Sequence, residues 1–251
     1  MKQTLVLVFS GLAWMGLAPP VLAKDPIVTE AAAAVAAKDL PQALDLFEQA
    51  LTRDPDDLHA GADYRQAVIA AGAYDRCLAF FKQLVESHPE AANAWLNYGY
   101  AHVDRIPSEG AITQVILANQ ALKQFTNALE RRETWLGLYT RGNSYLYWPA
   151  IFGRSPLAMA DLEKAIELAK ALPKRPYQAR AWAALGDGHW RLKDPEKAAE
   201  TWRQGLALFP GNPDLEARLA RQGKELDAYL EAHFEAGRRV ATDLGELREA
   251  P

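Results

Sequence analysis

The chain has 251 residues, 49% of them hydrophobic and 24% charged, with a net charge of −4. That is enough apolar material for one sizeable core or one solenoid. Phosphate binding needs Lys and Arg gathered on one face. Here they alternate with acids, as in Glu130-Arg131-Arg132-Glu133, which excludes nucleic acid as the main partner and reads as a solvated helix face.

At the start of the chain Lys2 precedes an uncharged apolar run, Leu5–Leu17, then Pro19-Pro20 and Val21-Leu22-Ala23. A positive start, a short apolar core and small residues before a cut describe a secretory signal over 1–23, cleaved after Ala23. A membrane span needs about 20 apolar residues, so an uncleaved anchor is the alternative. No cysteine follows the run to carry a lipid. The expectation is a soluble, exported, periplasmic chain without stable membrane insertion. The single cysteine, Cys77, cannot form an internal disulfide, and it sits where Ala43 and Ala198 sit elsewhere, as a buried small hydrophobe.

Beyond the signal one pattern returns. Ala43, Phe47, Ala50 and Pro55 reappear 34 residues on as Cys77, Phe81, Leu84 and Pro89, and later as Ala198, Trp202, Gly205 and Pro210. Trp95, Tyr98, Gly99 and His102 share their spacing with Trp182, Leu185, Gly186 and His189. Each set is one apolar stripe on a helix, and the proline ends the second helix of each pair. One such hairpin cannot cover its own apolar face, so the units must stack.

In chain order the units run 25–57, 58–91, 92–134, 135–178 and 179–212. The first opens on the alanine-rich Glu30–Ala37, a good helix former that packs weakly. In the third, Ala121, Phe125 and Ala128 arrive late, so the extra residues after Ile106-Pro107 predict a longer second helix. In the fourth, Ala158, Leu162 and Ala165 are displaced behind the apolar loop Tyr147–Pro156. That loop, with Trp148, Phe152 and Arg154, either tucks back onto the helices or meets a partner at the edge. Residues 213–251 predict a capping helix, with Leu215, Leu219, Leu226 and Leu230 on one side, and a tail.

The period and these residues resemble the tetratricopeptide repeat family. The resemblance implies an all-α, right-handed solenoid of helix–turn–helix units whose first helices line a concave, partner-binding groove. Mapped onto this chain, the family's groove positions are Asn93, Asn97, Tyr100 and Asp104 in the third unit. They are Tyr139, Thr140, Asn143 and Tyr147 in the fourth, and Arg180, Asp187, Trp190 and Arg191 in the fifth. Amide and phenol side chains suit an extended peptide, whereas the family's clamp for a terminal carboxylate needs cations from more than one unit. Phe152-Gly153-Arg154-Ser155 and the following small-residue helix also resemble, over a short stretch, the periplasmic T component of TRAP transporters.

Catalysis finds no constellation. His59, His88, His102, His189 and His233 have no metal-ligand spacing, and no phosphate loop or nucleophile–base set can be assembled. The sequence therefore predicts a non-enzymatic adaptor without cofactor or metal, binding a protein or peptide of the cell envelope in its groove. The alternative is a transport-associated component handling a small ligand. An open groove favours the first and a closed pocket the second. Asn97, Tyr100, Tyr139 and Asn143 are expected to face one another, with Trp148 and Phe152 projecting from the edge.

Overall fold

The computed structural model describes residues 25–235 and 240–248; the expected signal segment lies outside them. Among the described residues there are twelve α-helices and no strand. Five consecutive hairpins come first: α1 (Pro26–Ala36) with α2 (Leu40–Arg53), α3 (Leu58–Ala71) with α4 (Tyr74–Ser87), and α5 (Ala92–Arg105) with α6 (Ala111–Arg131). Then come α7 (Trp135–Leu146) with α8 (Ser155–Ala169) and α9 (Ala179–Arg191) with α10 (Pro195–Leu208).

Local chemistry sets the ends. Asp39, Asp57, Thr134 and Asp194 accept hydrogen bonds from first-turn N–H groups of α2, α3, α7 and α10, satisfying donors that have no partner within the helix. The turns inside the first, second and fifth hairpins share one device. Lys38, Gly72 and Lys193 hold φ of 63°, 65° and 65°, the left-handed conformation that reverses the chain after a helix.

In the third and fifth hairpins a small residue facing an aromatic joins the two helices. A Cβ on Gly99 would lie 2.3 Å from the Phe125 ring, and one on Gly186 2.1 Å from Trp202 Nε1. Both aromatics are almost fully buried. The repeat stripe is thus a row of close helix crossings in which the glycine makes room for the ring. Between the first two units, Phe47, Tyr64, Phe80 and Phe81 pack edge-on or tilted at 5.4–6.4 Å, within the range aromatic pairs prefer. Cys77 is buried in this cluster, and burial pushes its thiol pKa up.

The two irregular units differ in how they take up their extra residues. In the third, a single 3₁₀ turn at Ile106–Ser108 leads into α6, which runs for 21 residues. In the fourth, the extra residues stay in the connection, with one 3₁₀ turn at Ala150–Phe152. Past Pro213 the expected single capping helix is two: α11 (Pro213–Leu219) and α12 (Gly223–His233). Gly223, at φ 51°, opens the second, so the leucine stripe is carried round a corner. Leu215, Leu226 and Leu230 still cover Trp202, Ala183 and Ala198, which is the closing role a terminal element has in a solenoid.

Candidate functional site

The first helices, α3, α5, α7 and α9, form the face on which the groove was expected, and that face is occupied by the chain itself. After α12, Phe234 packs with Tyr147 at 5.2 Å, beside Leu146, Leu185 and Met159. Residues 240–248 then run along the first helices. Leu244 packs against the cluster of Leu96, Tyr100 and Phe125. Leu247 packs against that of Trp135, Leu138 and Ala181. Glu246 pairs with Arg180, and Arg248 with Asp63.

The deepest contact is centred on Arg65 of α3, whose side chain is fully buried. Its Nε donates to Asn97 Oδ1 at 3.0 Å, Nη1 to Asp104 Oδ2 at 2.7 Å, and Nη2 to the Thr242 carbonyl at 2.6 Å. Its guanidinium lies 4.8 Å from the Tyr100 ring. The buried Thr242 hydroxyl is hydrogen-bonded to the other Asp104 oxygen. Every donor direction used is matched, as a buried cation requires. The Tyr100 hydroxyl and Thr140 Oγ1 lie 2.6 Å apart and join α5 to α7. Burial pushes the Tyr100 pKa up to about 12, so it stays a neutral phenol.

The mapped positions fall into two groups. Asn97, Tyr100, Asp104, Tyr139, Thr140 and Arg180 converge around the seated segment. The Tyr139 ring stacks on Trp135 at 5.1 Å, and its burial raises its pKa against the pull of Arg180. Most of the others serve joints elsewhere. The Asn93 N–H and side-chain amide both donate to Asp56, in the turn between α2 and α3. Asp187 takes a bidentate pair from Arg218 at 2.6 and 2.7 Å, locking α11 onto α9. Trp190 Nε1 donates to Asp227 of α12 at 2.9 Å. Arg191 donates to the Trp148 carbonyl at 2.8 Å. Tyr147 meets Phe234, and Asn143 is half-buried on α7.

Asn97 is buried and also donates to the Leu58 carbonyl at 3.3 Å, so removing it perturbs the fold as well as the groove. One expectation needs correction: Trp148 does not project from the edge. It is buried, with the Arg154 guanidinium 3.6 Å from its ring and Phe152 edge-on at 5.5 Å. The edge is apolar through other residues: Ile151 is 90% exposed and Phe152 58%. On the first turns of α6, Ile112, Val115 and Ile116 are exposed too. Arg154 reaches Asn119 of α6 at 2.9 Å, so these apolar groups border one surface.

Arg65 and Thr242 were missed. Arg65 had a sequence signal, since it occupies the place taken by Gly99, Gly142 and Gly186 in later units. A charged residue at a helix crossing demands a buried partner. Thr242 had none, because its partners are far away in sequence.

Also on α5, His102 is buried with both ring nitrogens unpartnered, 4.8 Å from the Tyr98 ring. Burial, helped by the Arg105 charge, lowers its pKa from 6.5 to about 4. The unfolded chain therefore takes up the proton first. Stability that is intact above about pH 6.5 should be lost as pH falls toward 4, by about 3 kcal/mol. Denaturant titrations of the parent and His102→Phe across pH 4–7 should show the parent losing stability more steeply.

Among the described residues, no group of His, Cys, Asp or Glu could hold a metal ion, and no helix is long and apolar enough to cross a membrane.

Comparisons with known proteins agree with this geometry. The tetratricopeptide repeat family matches residues 34–103 and again 179–221. A 63-residue stretch is 41% identical to the Hsp70-Hsp90 organizing protein of Triticum aestivum, covering 25% of this chain and 10% of that protein. The chain thus spans about a tenth of the length of that relative. A thermophilic TPR protein of Thermus thermophilus has the same fold at 22% identity and a TM-score of 0.54, over 77% of this chain and 95% of that one. MamA does so at 15% identity and a TM-score of 0.50, over 72% and 91%. With matched repeats at both ends of the hairpin series and further helical hairpins between them, the chain carries tetratricopeptide repeats on the fold of a tetratricopeptide repeat solenoid.

Proposed function

We propose that this protein is an exported, non-enzymatic adaptor that holds a protein partner of the cell envelope by a short segment laid along its first helices. Its role as a protein-interaction scaffold follows from the repeats. The observation behind the finer reading is the seating of residues 240–248. A short segment with one 3₁₀ turn, Gly245–Leu247, finds there two apolar seats, a buried polar anchor and flanking ion pairs, the combination by which peptides are recognised. The export reading rests on the 1–23 signal pattern. N-terminal sequencing should find Lys24 first; Met1 retained in a membrane fraction would contradict it.

The groove reading is tested by placing a photo-cross-linking residue at 139 or 143, and in parallel at 116 or 152, in cells that make the protein. Partner adducts at 139 and 143 alone support the groove. Adducts confined to 116 and 152 move the site to the apolar edge.

A second reading, a transport-associated component with a small ligand, would be favoured by a closed pocket, whereas the cleft of about 500 Å³ between α6 and the fourth-unit loop is open to solvent. Asn119, Lys123, Asn127 and Arg154 are among its lining residues. It predicts that Lys123→Ala and Arg154→Ala abolish function while changes on the first helices do not.

A further inference from the structure

Given that the first helices are the binding face, we infer that residues 240–248 are a tethered occupant of the site, and that the external partner is a segment of the same chemistry that displaces them. The segment reads Val240-Ala241-Thr242-Asp243-Leu244-Gly245-Glu246-Leu247-Arg248. Its recognition groups meet counterparts spread over α3, α5, α7 and α9. The Thr242 carbonyl and hydroxyl are read by Arg65 of α3 and Asp104 of α5. Leu244 enters the seat around Tyr100, and Leu247 the seat around Trp135 and Tyr139. Glu246 faces Arg180 of α9.

Without an occupant Arg65 and Asp104 would each lose one buried hydrogen bond and two apolar seats would face water, both of them costly. They are provided for a peptide with a hydroxyl residue, a leucine two places on, and an acid–leucine pair after that. Two features make the internal copy displaceable. Leu244 sits at φ 56°, a backbone region that a bulky residue adopts only under constraint. The outer ion pairs, Arg180–Glu246 and Asp63–Arg248, are partly solvated, and such pairs hold weakly. A tethered segment acts at an effective concentration of the order of millimolar. It therefore excludes weak ligands and yields to a segment that fits better.

The probe is a fluorescein-labelled peptide of residues 240–248, added to the full chain and to a full-chain variant whose own segment is unseated, Leu244→Asp with Leu247→Asp. Anisotropy should show the variant binding the peptide at least tenfold more tightly than the parent. The Thr242→Val peptide should bind it at least fivefold more weakly than the unaltered one. If that variant lacks the helical circular dichroism of the parent, Thr242→Arg, which sets a cation against Arg65, unseats the segment instead. Equal tight binding by parent and variant would show a site that the tail does not guard, overturning the inference while leaving the groove reading intact. No binding to a folded, unseated variant would overturn the inference too; the groove reading would then stand or fall on the cross-links at 139 and 143.

Discussion

Replacing Arg65 by Ala should destabilise the protein by about 3–5 kcal/mol, because it strands the Asp104 carboxylate in a site that is almost fully closed to water. It also leaves the Asn97 amide oxygen and the Thr242 carbonyl without the donors they have now. The size of the effect depends on what is left behind, not on the worth of the ion pair. Arg65→Met combined with Asp104→Leu should therefore recover most of the loss, since a buried ion pair is often replaceable by apolar residues of similar volume. Both can be read from urea titrations. The double variant should nonetheless release residues 240–248, because the partners of Thr242 are gone. A single variant with parental stability would mean that Arg65 is solvated and the network does not exist.

The second large effect is Gly186→Leu. The first atom of any side chain there falls 2.1 Å from Trp202 Nε1, and that indole is packed on all sides and donates to the Ala183 carbonyl at 3.1 Å. Neither helix can absorb the volume by rotating a flexible side chain, so α9 and α10 must separate. A loss of about 3 kcal/mol is expected, the upper end of the usual overpacking range. Leu215, Leu226 and Leu230 rest on the same indole cluster. The unit and its two capping helices should therefore loosen first, giving a broadened melt with early loss of protection at the C-terminal end. A sharp melt at the parental temperature would show that the crossing does not lie where the repeat places it.

Gly186 was legible from the sequence because the repeat is a local rule. The spacing of Gly and aromatic residues within one hairpin fixes which atoms meet, and the pattern recurs often enough to be read. The same rule located the long α6 from the late arrival of Ala121 and Phe125. The family resemblance, not the spacing, brought out Asn97, Tyr100, Asp104, Tyr139 and Arg180 as groove positions, since it implies which helix face points inward. It says nothing about which inward residues are already engaged. Asp187 has the same helical placement as a ligand-binding residue but is matched by Arg218 of α11, an element outside the repeat. The occupancy of the groove was likewise invisible. Thr242, Leu244 and Leu247 carry no periodicity of their own, and the residues that bind them lie on four earlier units. Trp148 misled for a related reason: an aromatic in a loop looks exposed until Arg154 closes over its ring.

The central claim is that a partner segment binds along the first helices and expels the chain's own tail. Hydrogen–deuterium exchange of the full chain, with and without the partner segment recovered from the cross-links, tests it in one experiment. The account predicts slower exchange over 58–66, 96–104 and 135–143 on binding, with faster exchange over 240–248 at the same time. Slower exchange confined to 111–120 and 148–157, with 240–248 unchanged, would place the partner on the apolar edge and contradict it.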